Sequence, residues 1–514
     1  MTKAQLTADY RANTGDPQFI GEDIYQLVST RPRAKFSLLR QLAAGLVFAL
    51  IIFALNYIAP AHSTLTERVY GSLMLGLIAL PLWLWRLGID PNPPFIVLIT
   101  LLYFYSYGLG VFLLRSFAGN PYQPDVSHRW IETALRLALA GMILMLAGYY
   151  AWPWMPIRSM VPRFRMRWSD ARAVRLAGFV MAIFGLLLSA GHIPGLPKSL
   201  AQVTGYAQDS FTVGICILIG LWWIGRLTRP SAWLLFLVLV PMRLGIGLLG
   251  GASGGSIVIA MTLVLMYSAL SHRIPWILVF TGTAALFIIR PLELPYRSAT
   301  WSPSGELYNA SDLQKAEYMY GLVYRTIIGG EVPPDALVQA AGARLSVFPM
   351  LADVMSLTPK VVPYWGGETY YPLLFKPIPR IIWPGKPEEV TGRTFGQRYG
   401  YSSLENPGTS INFAQLVEQY ANFGVIGVLV GMFVIGMIYR VLLAMFIHPE
   451  MGLGALVAAI FIVSSLFDIE SGTAMVFGGI PWTLIYLFVV DRFVLLLHFE
   501  LSGVDERTLV TAEQ

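Results

Sequence analysis

Arginine placed where arginine is unfavourable is the first chemistry legible in this chain. Arg243 lies in Pro241-Met242-Arg243-Leu244-Gly245, inside an otherwise apolar stretch. A guanidinium there needs a polar cavity or a partner. Arg290 closes a second apolar stretch and Arg297 follows it. Snorkelling to the interface accounts for Arg290 alone, but less readily for Arg243, which still has apolar and glycine residues after it. Together they predict a site for an anionic headgroup. A second cationic element is the run Pro377 to Pro387, with four prolines in eleven residues and with Arg380 and Lys386 among them. Proline at that density excludes helix and predicts a stiff, extended segment. Cations held this way suit a phosphate or pyrophosphate, which arginine grips through two donors. They equally suit ion pairs with Glu388, Glu389 or lipid phosphates.

Two other groups could do chemistry. Glu418 sits where an apolar run resumes, in Glu418-Gln419-Tyr420-Ala421-Asn422-Phe423-Gly424. A carboxylate at a membrane edge is desolvated, which raises its pKa towards what a general base needs. A structural ion pair is the competing reading. The stretch Tyr364-Trp365-Gly366-Gly367-Glu368-Thr369-Tyr370-Tyr371 is aromatic and glycine-rich. Such rings stack on sugar faces or, alternatively, dip into lipid headgroups. No histidine pair at ligand spacing, phosphate-binding glycine loop or DxD pair is present, so neither a metal nor a nucleotide cofactor is expected. The single cysteine, Cys216, cannot form a disulfide within one chain.

The elements that must position these residues are membrane helices. The chain has 514 residues, 55% hydrophobic and only 13% charged, where a soluble protein carries roughly a quarter charged. Backbone in hydrocarbon must satisfy its own hydrogen bonds, so the apolar runs should be helices. The expected fold is an all-α polytopic protein of about twelve transmembrane helices. Spans are predicted near residues 38–58, 69–87, 95–114, 134–150, 176–191, 211–225, 233–249, 255–270, 274–289, 421–439, 452–467 and 476–496. Arg158, Arg163, Arg165, Arg167, Arg172 and Arg175 share one loop. Arg226, Arg229, Arg273 and Arg440 lie in loops on the same predicted side. The opposite loops are poorer in basic residues, which predicts cytoplasmic termini. Residues 1–37 and 497–514 are then cytoplasmic tails, 38–290 the first nine spans and 421–496 the last three. The net charge of +6 is explained by these loops and does not indicate nucleic acid.

Residues 291–420 form a large extracytoplasmic loop, too long for a connector. Asp335–Met355 reads as an amphipathic helix opened by Pro333-Pro334 and broken at Pro349. The glycine turn Gly250–Gly255 reads either as a tight hairpin or as irregular backbone lining a cavity.

At this point the residues resemble a family. The runs from Arg344 to Val354, Gly366-Gly367 with Tyr370, Ile378-Pro379-Arg380-Ile381-Ile382-Trp383-Pro384-Gly385-Lys386-Pro387, and Glu418 to Gly424 occur in order across the large loop into a span. That order resembles the oligosaccharide repeat unit polymerases, the O-antigen-polymerase (Wzy-type) proteins. The resemblance implies a GT-C-like fold with a large periplasmic loop domain of helices and extended proline-rich segments, in the bacterial inner membrane. It implies an inverting, metal-independent glycosyltransferase. A growing glycan would leave undecaprenyl pyrophosphate for the non-reducing end of a lipid-linked repeat unit. Implied partners are that lipid-linked oligosaccharide, membrane lipids and a chain-length-regulating co-polymerase. On this reading Arg380, Arg344, Arg290, Arg297 and Arg243, with Lys386, stabilise the pyrophosphate. Glu418 and then Glu368 are the candidate bases, and Trp365, Glu368, Tyr370 and Tyr420 meet the glycan. The glycine turn lacks the arginine common in relatives, so Arg243 must fill that role. Related ligases use an outer-loop histidine, and this large loop has none, which favours polymerase over ligase. A ligase-like transferase and a lipid-linked oligosaccharide transporter are the alternatives.

Overall fold

The computed structural model describes residues 24–29, 38–114, 126–190, 201–251, 254–302, 304–330, 332–379, 382–387, 391–402 and 410–512. Arg380, Glu388, Glu389 and most of the N-terminal tail lie outside the described residues. Among those described, regular structure is helical and there is no strand.

Each predicted span falls on a helix. In chain order these are α1 (Leu38–Ile58), α2 (Leu65–Arg86), α3 (Phe95–Tyr107), α4 (His128–Tyr150), α5 (Ala171–Ala190) and α6 (Ala201–Trp223). Then come α7 (Arg229–Leu249), α8 (Gly254–Ser271) and α9 (Trp276–Thr300). The large loop contributes α10 (Asp312–Ile327), α11 (Pro334–Leu345), α12 (Phe348–Leu357) and α13 (Thr391–Arg398). The chain closes with α14 (Gln415–Phe446), α15 (Leu453–Ser464), α16 (Thr473–Phe477) and α17 (Ile480–Ala512). Among the described residues, eight helices are long and apolar enough to cross a bilayer: α2, α4, α5, α7, α8, α9, α14, and α16 running into α17. These make the chain an all-helical membrane protein. The other four predicted spans coincide with shorter apolar helices: Gly45–Ile58, Phe95–Tyr107, Ala207–Trp223 and Leu453–Phe467.

Some of these shorter helices are the central ones. Every residue of α15 is buried, and most of α3 is as well. Their apolar composition on all faces is compatible with either lipid or protein around them, and here protein neighbours enclose them. One closely packed pair is α4 against α14. A methyl group on Gly148 would strike the carbonyl of Phe433, and one on Gly436 would strike that of Met145. Glycine at both places lets the backbones touch, as small residues do between helices in lipid.

Three sequence expectations change. The ninth helix was expected to end at Ile289, with Pro291 opening the loop. Instead α9 runs through Pro291 and Pro295 to Thr300. Each proline removes one backbone donor, but the helix resumes beyond it. The helix predicted over Asp335–Met355 does break, but at Ser346-Val347 rather than at Pro349. Its halves, α11 and α12, are bent by 53°. The ring of Pro349 would collide with the carbonyl four residues earlier, at Leu345, where α11 ends. The proline-rich segment, expected to be extended, instead turns tightly where it is described. Ile378 N–H bonds to Phe375 O, Trp383 N–H to Pro379 O and Lys386 N–H to Trp383 O. Proline presets the φ that such turns need.

Candidate functional site

The continuation of α9 past Pro291 creates the site. Arg290, Glu293 and Arg297 are three and four residues apart, so a helix puts them on one face. Arg344, in the last turn of α11, reaches the same carboxylate. Glu293 Oε2 lies 3.4 Å from Arg297 Nη2, 3.6 Å from Arg290 Nη1 and 3.8 Å from Arg344 Nη2. The Glu293 side chain is 4% exposed, that of Arg290 13%, Arg297 27% and Arg344 51%. The cluster is therefore closed at its carboxylate and open at its guanidinium groups.

Neighbouring elements hold it in place. Arg297 Nε donates to Gly251 O at 2.6 Å, and Tyr296 Oη donates to Leu249 O at 2.7 Å. Both bonds tie α9 to the glycine turn between α7 and α8. Gly251 has φ +70°, a left-handed conformation that favours glycine. The Arg297 guanidinium also lies 4.7 Å from the centre of the Trp301 ring. Glu470, in the turn between α15 and α16, shares the field of Arg290 and Arg344, with Asp468 and Glu293 nearby. Burial pushes the Glu470 carboxyl up, and the two guanidinium groups partly oppose that shift.

The predicted arginines therefore divide. Arg290, Arg297 and Arg344 come together. Arg243 has Asp209 on α6 as its ionic neighbour, and its guanidinium lies beside Gly247 and Gly255. It follows a π-helical turn at Leu234–Leu239, just ahead of Pro241. Such turns accommodate a missing backbone donor. Lys386 Nζ donates to the carbonyls of Ile378 (2.9 Å) and Lys376 (3.2 Å), so it braces its own turn. Lys376 Nζ donates to Ala474 O at 2.8 Å and fastens that turn to α16.

The carboxylates named from sequence are engaged elsewhere. Glu418 is 1% exposed, and its Oε2 accepts the Thr473 N–H at 2.6 Å, at the start of α16. Glu368 pairs with Arg398 at 3.0 Å. The Arg398 guanidinium covers the Trp365 ring at 4.0 Å.

The two glycine-containing motifs join each other. Trp365 N–H bonds to Ala421 O, Gly367 N–H to Asn422 Oδ1, and Asn422 Nδ2 to Thr369 Oγ1. Gly367 (φ +94°) and Gly424 (φ +65°, ψ −149°) supply the left-handed turns this interlock requires. Trp365 and Tyr420 are buried in it, while Tyr370 stacks on Phe423 at 6.3 Å. Burial, and then Glu418, raise the Tyr370 phenol above its usual range. The exposed rings beside the interlock are Tyr364, Tyr371 and Phe423.

The reading from sequence missed Glu293, Glu470 and Asp209. Glu293 carried a signal, since Arg290, Glu293 and Arg297 have helical spacing. Ending the helix at Pro291 hid it. Among the described residues no group of histidine, cysteine or acidic side chains could hold a metal ion.

Fold and site thus define a helical membrane protein with a partly open arginine–carboxylate cluster at one end of its bundle. Residues 251–500, which span the cluster, the interlock and the last helices, match the family model described as Domain of unknown function (DUF8712). No curated protein and no solved structure matches the chain.

Proposed function

We propose that this protein is a membrane glycosyltransferase that polymerises lipid-linked oligosaccharide repeat units. The observation that carries the reading is the convergence of Arg290, Arg297 and Arg344 on the single buried carboxylate of Glu293. Glu293 offsets one of three guanidinium charges and orients all three. The more exposed Arg297 and Arg344 are then free to meet a pyrophosphate. In the reaction the bond between the anomeric carbon and the pyrophosphate oxygen breaks. The acceptor hydroxyl oxygen bonds to that carbon, and its proton passes to a carboxylate. Charge gathers on the departing pyrophosphate, where preorganised donors lower the barrier most. Glu470, within the field of the same arginines, is the carboxylate best situated to take the proton. Glu418 and Glu368, with partners of their own, position the surrounding turns. The exposed rings of Tyr364 and Tyr371 offer faces for sugar.

In this reading the four shorter apolar helices also count as spans, giving twelve, with both termini cytoplasmic and the cluster facing the periplasm of a bacterial inner membrane. Transfer is inverting and needs no metal, and a chain-length regulator accompanies the polymerase. The test is a membrane preparation supplied with lipid-linked repeat unit. Wild-type protein should build a ladder of polymer, with chelator present. Arg344→Ala should leave single lipid-linked repeats to accumulate. A ladder undiminished by Arg344→Ala would remove the arginines from the chemistry. Activity lost in chelator and restored by a divalent ion would refute the metal-free step.

A further inference from the structure

The other end of the bundle carries a surface of a different kind. Between α4 and α5 the chain runs as a strap, residues 152–168, containing Arg158, Arg163, Arg165 and Arg167 and no acidic residue. Phe164 N–H bonds to Met445 O at 2.8 Å, Gly452 N–H to Arg165 O at 2.7 Å and Gly454 N–H to Met166 O at 3.1 Å. Trp168, 3% exposed, donates its ring N–H to Asp491 at 2.9 Å. The strap is thereby fixed beneath the last turn of α14, on the far side of its kink at Gly424 from Glu418.

Its outer face is both apolar and cationic. Trp154 and Met160 are each 81% exposed, and Ile157 is 41% exposed. Glu450 takes up Arg165 through an ion pair and Arg167 through its backbone carbonyl. Arg158 and Arg163 are exposed and face no carboxylate among the described residues. Large apolar side chains and free guanidinium groups alternate on a rigid segment where long apolar helices end. Such a face sinks its rings to the acyl boundary and sets its cations among headgroup phosphates.

We propose that the strap is a binding site for anionic phospholipid, with Arg158 and Arg163 gripping headgroup phosphates while Trp154 and Met160 insert beside them. An anionic surface suits it better than a protein partner because the uncompensated charge is of one sign and lies at the membrane border. This inference is independent of the proposed transferase activity.

The full chain, purified in mild detergent, would be incubated with an equal mixture of phosphatidylglycerol and phosphatidylcholine. Bound lipids would then be counted by native mass spectrometry. Phosphatidylglycerol should predominate. Arg158→Ala/Arg163→Ala should reduce that preference on the order of ten-fold, a few-fold for each arginine. Arg158→Lys/Arg163→Lys should keep it, which separates lost charge from lost folding, and each single alanine variant should fall between. Arg129→Ala, at the opposite end of α4, should leave the preference unchanged. Equal preference in the double alanine variant and the wild type would overturn the assignment, as would an equal loss in Arg129→Ala.

Discussion

Two buried acidic residues, Asp90 and Glu293, meet arginine in contrasting ways. Asp90 accepts from Arg440 Nη1 at 3.1 Å, from Tyr149 Oη at 3.0 Å and from Asn92 Nδ2 at 2.7 Å. Asn92 in turn accepts the ring N–H of Trp85 through its carbonyl at 3.0 Å. The Arg440 guanidinium also lies 5.4 Å from the Tyr149 ring centre. This network has one cation and one anion, at short distances, and it ties α2, α4 and α14 together. Glu293 faces three guanidinium groups at 3.4 to 3.8 Å, and Arg344 is half exposed. A closely paired network of this kind fixes a fold. A cationic cluster with loose contacts and open donors has capacity left for a ligand.

The largest effect should come from taking away that capacity. Arg344→Ala is expected to lower polymer formation by at least about 100-fold, the loss seen when one transition-state donor is removed. Its melting temperature in detergent should shift little, because the side chain is half exposed. Rate and melting measured on the same preparation separate the two effects, and a large fall in melting temperature would make the Glu293 cluster a staple like the Asp90 network. The reverse pattern is expected of Asp90→Ala. It strands Arg440 in a buried site and should reduce stability by about 3 kcal/mol, with the rate per folded molecule retained. Denaturant unfolding checks this, and Asp90→Ala/Arg440→Met should recover part of the loss.

Glu293→Gln sharpens the contrast further. It removes the one anion shared by three guanidinium groups. If the cluster is made for a ligand, inorganic pyrophosphate should bind several-fold more tightly to this variant, as calorimetry would read. The loss of stability should be about 1–2 kcal/mol, smaller than for Asp90→Ala. Weaker pyrophosphate binding together with severe destabilisation would contradict the comparison.

How much of this was legible beforehand depends on what each residue's position encodes. Helix locations were readable, because the apolar runs near Phe95, Val213 and Leu453 are continuous and charge-free. Whether such a run is enclosed by protein or by lipid was not, since both surroundings select the same side chains. The convergence of Arg290 and Arg344 was anticipated, but the residue that organises them was not. Proline is a good stop signal in water, and reading Pro291 as one concealed the helical spacing of Arg290, Glu293 and Arg297. The turns around Trp365 show the converse. Trp365 and Glu368 have the composition of a sugar-contacting loop, yet Arg398 covers one and pairs with the other. No local pattern announces a partner thirty residues away.

A pH titration tests the cluster by a smaller change. Glu470 faces Arg290, Arg344, Asp468, Glu293 and Tyr107. Burial raises its carboxyl above the ordinary value, while the guanidinium groups hold it back. As the pH rises through that elevated range, Glu470 loses its proton and adds a negative charge to the site. Pyrophosphate binding should therefore weaken as pH increases and tighten as it falls. Glu470→Gln, fixed in the uncharged state, should flatten the slope at the tight-binding end. An unchanged slope in this variant would place the titrating group elsewhere.

The smallest expected effect is at Lys386. Its ammonium bonds to the carbonyls of Ile378 and Lys376, within the turn it closes. Lys386→Met should keep much of the aliphatic packing and forfeit those bonds, a loss of about 1 kcal/mol. Lys376, bonded to Ala474, still fastens the segment to α16. Polymer formation should accordingly fall by less than about ten-fold, with pyrophosphate affinity at the Glu293 cluster unchanged. A loss as deep as that of Arg344→Ala, with the protein folded, would show that the lysine meets the substrate. The site would then extend from α9 and α11 across the proline-rich turns, and the boundary between ligand-binding arginines and structural cations would have to move.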